Sequence, residues 1–213
     1  MVAVAGCGQN APSWWRPGAA VLYGNTRITT ARLASEAASL LASYQIYKGK
    51  LGSQLAYRQA DIPRQALTWI LRFATIEQLR SREGIHVTAT QEQQAYGSYV
   101  KLLKQQGATL AEFAVSIGMP PDMLAEFTRL VVIQRTLETR LAHGTVPAQG
   151  TPAAQALGLQ ITLMECQAAK SLNIKVNPQY GVFDYNRFLV VPLTGELASG
   201  LSAAQTARLA PHC

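Results

Sequence analysis

Apolar residues recur at three- and four-residue spacing through two long stretches of this chain, and the remaining elements can be placed around them. Between Asp61 and Arg80, Ile62, Ala66, Trp69, Ile70, Phe73 and Ile76 share one side of a helix. From Pro120 to Leu141, Met123, Phe127, Leu130, Gln134, Leu137 and Leu141 do the same, while Arg129, Arg135, Glu138 and Arg140 supply a solvated face. Neither helix can stand alone in water. The intervening Thr90–Gly107 and Thr109–Gly118 each open on a threonine able to cap and close on a glycine, which predicts a four-helix unit with short connections.

Upstream, Ala19–Ile28 reads as a short strand, a Gly24-Asn25 turn and a returning strand. Thr29 or Thr30 caps a helix through about Tyr47, with Leu33, Ala37, Leu40, Leu41 and Tyr44 on one side and Gly49–Gly52 ending it. Asp61 is placed to cap the next helix, with Pro63 in its first turn. Downstream, a helix is expected over Ala153–Leu172. Ile174 and Val176 alternate as in a strand, Pro178 begins a turn, and Phe188–Val191 offers another strand. A lone hairpin of the N-terminal size is marginal, so these late strands are its expected partners in one small sheet. The predicted class is mainly α with a small β-sheet. Residues 19–192 form one domain, in which the C-terminal helix and strands of 153–192 pack back, and 193–213 is a loose tail.

At 213 residues and 48% hydrophobic content the chain can bury a real core, which excludes wholesale disorder. The net charge of +7 favours anionic surfaces, but the basic residues are scattered singly, so nucleic acid is not an expected partner.

Val4-Ala5-Gly6-Cys7 resembles a bacterial lipobox, at which a lipoprotein signal is cut and the cysteine is lipid-modified. Six residues before Cys7 are fewer than a basic n-region and an apolar h-region need, so the sequence is expected to begin inside its signal; the alternative is a chance match in an Ala/Gly/Val-rich start. Residues 1–18 then read as a lipobox remnant and flexible tether, with Trp14 and Trp15 folding back onto the domain.

The order Ala20-Val-Leu-Tyr-Gly-Asn-Thr-Arg-Ile-Thr29, a helix, the apolar helix ending Leu79-Arg-Ser-Arg-Glu-Gly-Ile-His-Val-Thr-Ala-Thr-Gln-Glu-Gln93, Gly107-Ala-Thr-Leu-Ala-Glu-Phe113 and the helix to Leu141 resembles the N-terminal chaperone domain of SurA-type and trigger-factor-related foldases. The likeness spans residues 19–142, and its most telling piece is 79–92. Only Ala142–Pro152 stands where a larger foldase carries its parvulin domain. Val176-Asn-Pro-Gln-Tyr-Gly-Val-Phe-Asp184 resembles the closing segment of actinobacterial lipoproteins and PrsA-like foldases, with Gln179 in place of the usual arginine. The resemblance implies an exported lipoprotein on the outer face of the cell membrane that cradles unfolded or extended polypeptides. The alternative is a structural or interaction lipoprotein with one dedicated envelope partner.

Candidate client-binding residues are Phe113, Ile117, Met119, Met123 and Phe127, around the Gly118-Met-Pro-Pro turn, because flexible Met and aromatic side chains suit promiscuous contacts. No catalytic motif, cofactor or metal is expected: His86, His143 and His212 lie far apart, and no phosphate loop or nucleophile elbow is present. Cys166 reads as a buried thiol in a helix. With Cys7 lipidated, Cys166 and Cys213 are the pair that could form a disulfide in an oxidising compartment.

Overall fold

Gly24 and Asn25 reverse the chain between two short alternating runs, so the fold begins with a hairpin. In the computed structural model, which describes residues 17–193, β1 (Ala19–Tyr23) and β2 (Thr26–Thr29) pair antiparallel with Val21 opposite Ile28, after a shift of register at Ala20. Thr29 leaves the strand and caps α1 (Thr30–Leu51), its hydroxyl accepting from the Arg32 N–H at 3.1 Å. Such a cap contributes about 1 kcal/mol.

Helix α2 (Ile62–Arg82) starts with Pro63 in its first turn, but Asp61 does not cap it. The carboxylate instead accepts from the Arg58 N–H and pairs with Arg64, because a single 3-10 turn at Gln59–Asp61 folds it back. Helix α3 (Ala89–Gln105) starts before the expected Thr90: Thr88 and Gln91 form a reciprocal capping box, Gln91 accepting from the Thr88 N–H at 2.8 Å. Thr109 and Glu112 repeat the device at α4 (Leu110–Ser116). A 3-10 turn then leads into α5 (Leu124–Leu141), and α6 (Pro152–Ser171) is capped by Thr151.

Both stripes read from the sequence are in the core, and α2 is buried almost all round. Ala66, Trp69, Ile70, Phe73 and Ile76 are joined by Leu67, Leu71, Thr75 and Leu79. A helix apolar on every side must be covered on every side. Its neighbours are α1, α5, α6 and the C-terminal strand, and one contiguous cluster of buried side chains runs from Ala20 to Val190.

The C-terminal part closes on the N-terminal part. Strand β3 (Lys175–Val176) pairs with the free edge of β1, Val176 opposite Val21, and the Asn177 N–H donates to the Ala20 carbonyl at 2.9 Å. The Gly24 N–H at the hairpin turn donates to the carbonyl of Leu172, at the end of α6. The expected sheet is therefore made by β2, β1 and β3.

Phe188–Val191 does not join it, which corrects the single-sheet expectation. Strand β5 (Leu189–Val191) folds onto β4 (Val182–Asp184), with Phe183 opposite Val190. The Asp184 carboxylate accepts from the N–H groups of Asn186 and Arg187 and tightens the turn, while the Val190 N–H is taken by the buried Thr68 hydroxyl of α2 at 2.9 Å. Gly181 makes the hairpin possible: its φ is 120°, and a Cβ there would sit 2.0 Å from the Val191 carbonyl oxygen.

Candidate functional site

The hairpin turn, α2 and the start of α5 do not meet completely, and a groove of about 490 Å³ remains between them. Ile70, Phe73 and Ala74 of α2 line it together with Met123 and Leu172. Tyr23, Gly24, Asn25 and Thr26 make one wall. Arg32, Glu77, Gln78, Arg80 and Glu126 make the polar rim. An apolar floor under a rim of both charges is suited to a chain segment that alternates between apolar side chains and backbone.

The rim is partly locked and partly open. Glu77 accepts from Arg80 at 2.6 Å and from Arg129, which also reaches Glu92 at 3.3 Å, so one carboxylate joins α2 to α5 and through Arg129 to α3. Burial pushes the Glu77 carboxyl up, but the hydrogen bonds and charges of Arg80 and Arg129 outweigh it and hold it below the usual carboxylate value. Arg32 and Glu126, by contrast, have no ion-pair partner among the described residues. Burial pushes up the Tyr23 hydroxyl, against the opposing influence of Arg32 and Thr26. Glu36 is likewise raised by burial, with Asp122 and Glu126 adding to the shift and Arg32 countering it. Arg32 thus stands among acids at the mouth of the groove.

The five residues expected to form an exposed client surface are packed inward, which corrects that expectation. Met119 is fully buried, Met123 and Phe127 are buried, and Phe113 and Ile117 are half-buried against the same core. Phe113 and Phe127 meet edge to face at 5.3 Å, Tyr99 lies 5.3 Å from Phe127, and Trp69 lies 6.1 Å from it. Gly118 follows α4 at φ 70°, a conformation that favours glycine, and the Trp69 indole N–H donates to the Ile117 carbonyl at 3.2 Å. Of the five, only Met123 reaches the groove.

A second, smaller cavity of about 30 Å³ lies between Arg72, Gln134, Glu165 and Phe188, on the side of α2 covered by α6. Its size suits one water molecule. Burial raises the Glu165 carboxyl, opposed by the Gln134 amide at 3.0 Å and by the charge of Arg72. Arg72 itself lies over the Trp69 ring at 4.5 Å.

Cys166 is buried on α6 and engaged in a disulfide. Cys7, Trp14, Trp15, His212 and Cys213 lie outside the described residues, as do nearly all of the expected tether and tail. Among the described residues, no three His, Cys, Asp or Glu side chains are grouped to hold a metal ion, and no helix is long and apolar enough to cross a membrane. No family model matches the chain, and neither a curated protein nor a solved structure matches it significantly.

Proposed function

We propose that this is an exported lipoprotein, held at the outer face of the membrane by a lipid on Cys7, that binds unfolded or extended polypeptide segments without catalysis. The observation that carries the reading is the groove beside the hairpin turn. Its volume of about 490 Å³ is in the range of ligand sites, roughly 300–1,000 Å³. Apolar side chains of a client can enter over Phe73, Ala74 and Met123. Its backbone and polar side chains then meet Asn25, Gln78, Arg32 and Glu126 at the rim. Charges of both signs accept varied sequences, as a promiscuous binder requires.

The finer reading of the fold, a SurA N-terminal-like domain, is supported by the order of its parts: hairpin, α1, α2, α3, α4 and α5 follow one another as in that domain. Residues 142–151 are the whole connection from α5 to α6, which is too short for a parvulin insertion. The protein should accordingly fail to accelerate prolyl isomerisation in a short peptide.

Aggregation suppression tests the proposal. Several unrelated denatured clients should be protected at stoichiometric protein, and Ala74→Trp, which fills the groove, should reduce protection several-fold while the protein remains folded by circular dichroism. Protection unchanged by Ala74→Trp would sink the groove as the site. Tight binding of one envelope protein with no general suppression would favour a dedicated interaction lipoprotein instead.

A further inference from the structure

The charges around the groove fall into two groups. In the first, Glu77 and Glu92 are matched by Arg80 and Arg129, so the network is neutral and its members are occupied with one another. In the second, Arg32 and Glu36 share one face of α1, while Asp122 immediately precedes Met123 and Glu126 follows it by three residues. The 3-10 turn Pro121–Met123 packs against α1 and brings the two halves of this group together. Burial raises the Glu36 carboxyl, Arg32 lowers it, and Asp122 and Glu126 raise it further, so the four side chains sense one another. None of them has an ion-pair partner among the described residues.

Three carboxylates thus stand against one guanidinium at the edge of an apolar groove. Arg32, Asp122 and Glu126 are exposed and Glu36 is half-buried, so a ligand can reach them. The excess of negative charge is local, because the chain as a whole carries +7. Charges farther off than about 8 Å are largely screened at physiological ionic strength, so the nearby carboxylates decide what a ligand meets at the mouth. Among the described residues no three His, Cys, Asp or Glu side chains are grouped to hold a metal ion, so the cation that suits this place is one carried on a chain. The apolar part of the groove says what accompanies it. Met123 lines the groove beside Phe73 and Ala74, with Asp122 and Glu126 on either side of it in sequence. A side chain resting on Met123 therefore brings its own sequence neighbours within reach of the acidic group.

We propose that the groove selects extended polypeptide segments in which apolar residues are flanked by Lys or Arg: the apolar side chain lies over Phe73, Ala74 and Met123, and the cation is taken by Asp122, Glu126 and Glu36. This rests on the reading of the groove as the client site and adds the class of client. The carboxylates that attract a basic segment repel an acidic one, and the discrimination combines both effects. Clients are then sorted by the charge beside their apolar residues, with the apolar contact common to all.

The test titrates the full chain into two fluorescent, unstructured peptides with the same Phe-Ser-Leu core, flanked on each side by Lys in one and by Glu in the other, and reads anisotropy. Each exposed charge pair changes affinity by a factor of about 1.4–5, so the lysine peptide should bind about tenfold tighter at low salt. The difference should shrink towards parity in about 1 M salt, where the screening length is about 3 Å. The double variant Asp122→Asn/Glu126→Gln alters two exposed side chains without ion-pair partners, so it should keep the circular dichroism of the parent. It should bind the lysine peptide more weakly, the glutamate peptide more tightly, and lose most of the difference between them. Ala74→Trp should weaken both peptides alike. A parent that separates the two peptides by less than about twofold, or a preference that survives in the double variant, overturns the proposal; if Ala74→Trp still weakens both peptides, the groove stands as the client site without the charge selection. Binding that Ala74→Trp leaves unchanged overturns the groove reading and the proposal with it.

Discussion

Replacing Phe183 by alanine asks whether the last described strands belong to the same cooperative unit as the helices. Phe183 is 2% exposed, lies edge-on to Tyr185 at 5.0 Å and belongs to the cluster that includes Trp69, Phe73 and Ile133. Truncating a buried phenylalanine removes its transfer free energy and leaves a cavity, together about 3–5 kcal/mol. Neighbouring strands can collapse only slightly, because the Val190 N–H is held by Thr68 and Gly181 fixes the hairpin. For a chain of this length each kcal/mol lowers the melting temperature by about 2–4 °C, so a drop of about 6–20 °C is expected. Thermal unfolding should be followed at once by circular dichroism and by amide exchange of α2 and α5. If the unit is one, the amides of α2 and α5 lose protection by the same amount as the global melt. A melting temperature within about 2 °C of the parent, or a hairpin that melts separately while α2 keeps its protection, would refute the reasoning.

Gly181→Ala should be at least as damaging despite adding one methyl group, since its Cβ would overlap the Val191 carbonyl; soluble, parent-like melting would show that the hairpin can shift to accept it. The two shifted carboxylates should act oppositely with pH. Glu77, held low, contributes stability that is present above its unfolded value and is lost as pH falls through its folded value, so Glu77→Gln should flatten the acid limb of a denaturation profile. Glu165, held high, costs stability as pH rises from its unfolded to its folded value, and Glu165→Gln should remove that decline; an unchanged profile in either variant would contradict the assignment. Labelled fatty acid should enter the exported precursor and not its Cys7→Ser variant, whereas equal labelling of both would remove the lipid anchor.

Much of the helical frame was legible because its signals are local. Thr29, Thr109 and the six apolar positions of α2 lie where the three-four rhythm put them, and Gly24-Asn25 turns the hairpin. What was illegible depended on who covers whom. Leu67, Leu71 and Thr68 fall off the predicted α2 stripe, yet all three are buried, Thr68 under β5; only the absence of any charged residue except Arg72 between Arg64 and Glu77 hinted at a helix enclosed on all sides. The same ambiguity explains the misplaced client surface. Phe113, Met119 and Phe127 have the composition of a sticky patch and of a core, and which of the two they form depends on the helices that pack over them. The groove was hidden for the opposite reason. Its walls come from sequence positions as distant as Tyr23 and Leu172, and no periodicity links them.

The pairing of β1 with β3 sets a timetable for the chain. Val21 is among the first described residues to be made, but Val176 comes 155 positions later, and Val190, which seals the far side of α2, is later still. At about 5–20 residues per second, the hairpin edge and the apolar α2 helix wait roughly 8–30 s for their partners to be synthesised. Until then β1 keeps an unpaired edge and α2 an uncovered face, so the described core stays open through most of its own synthesis.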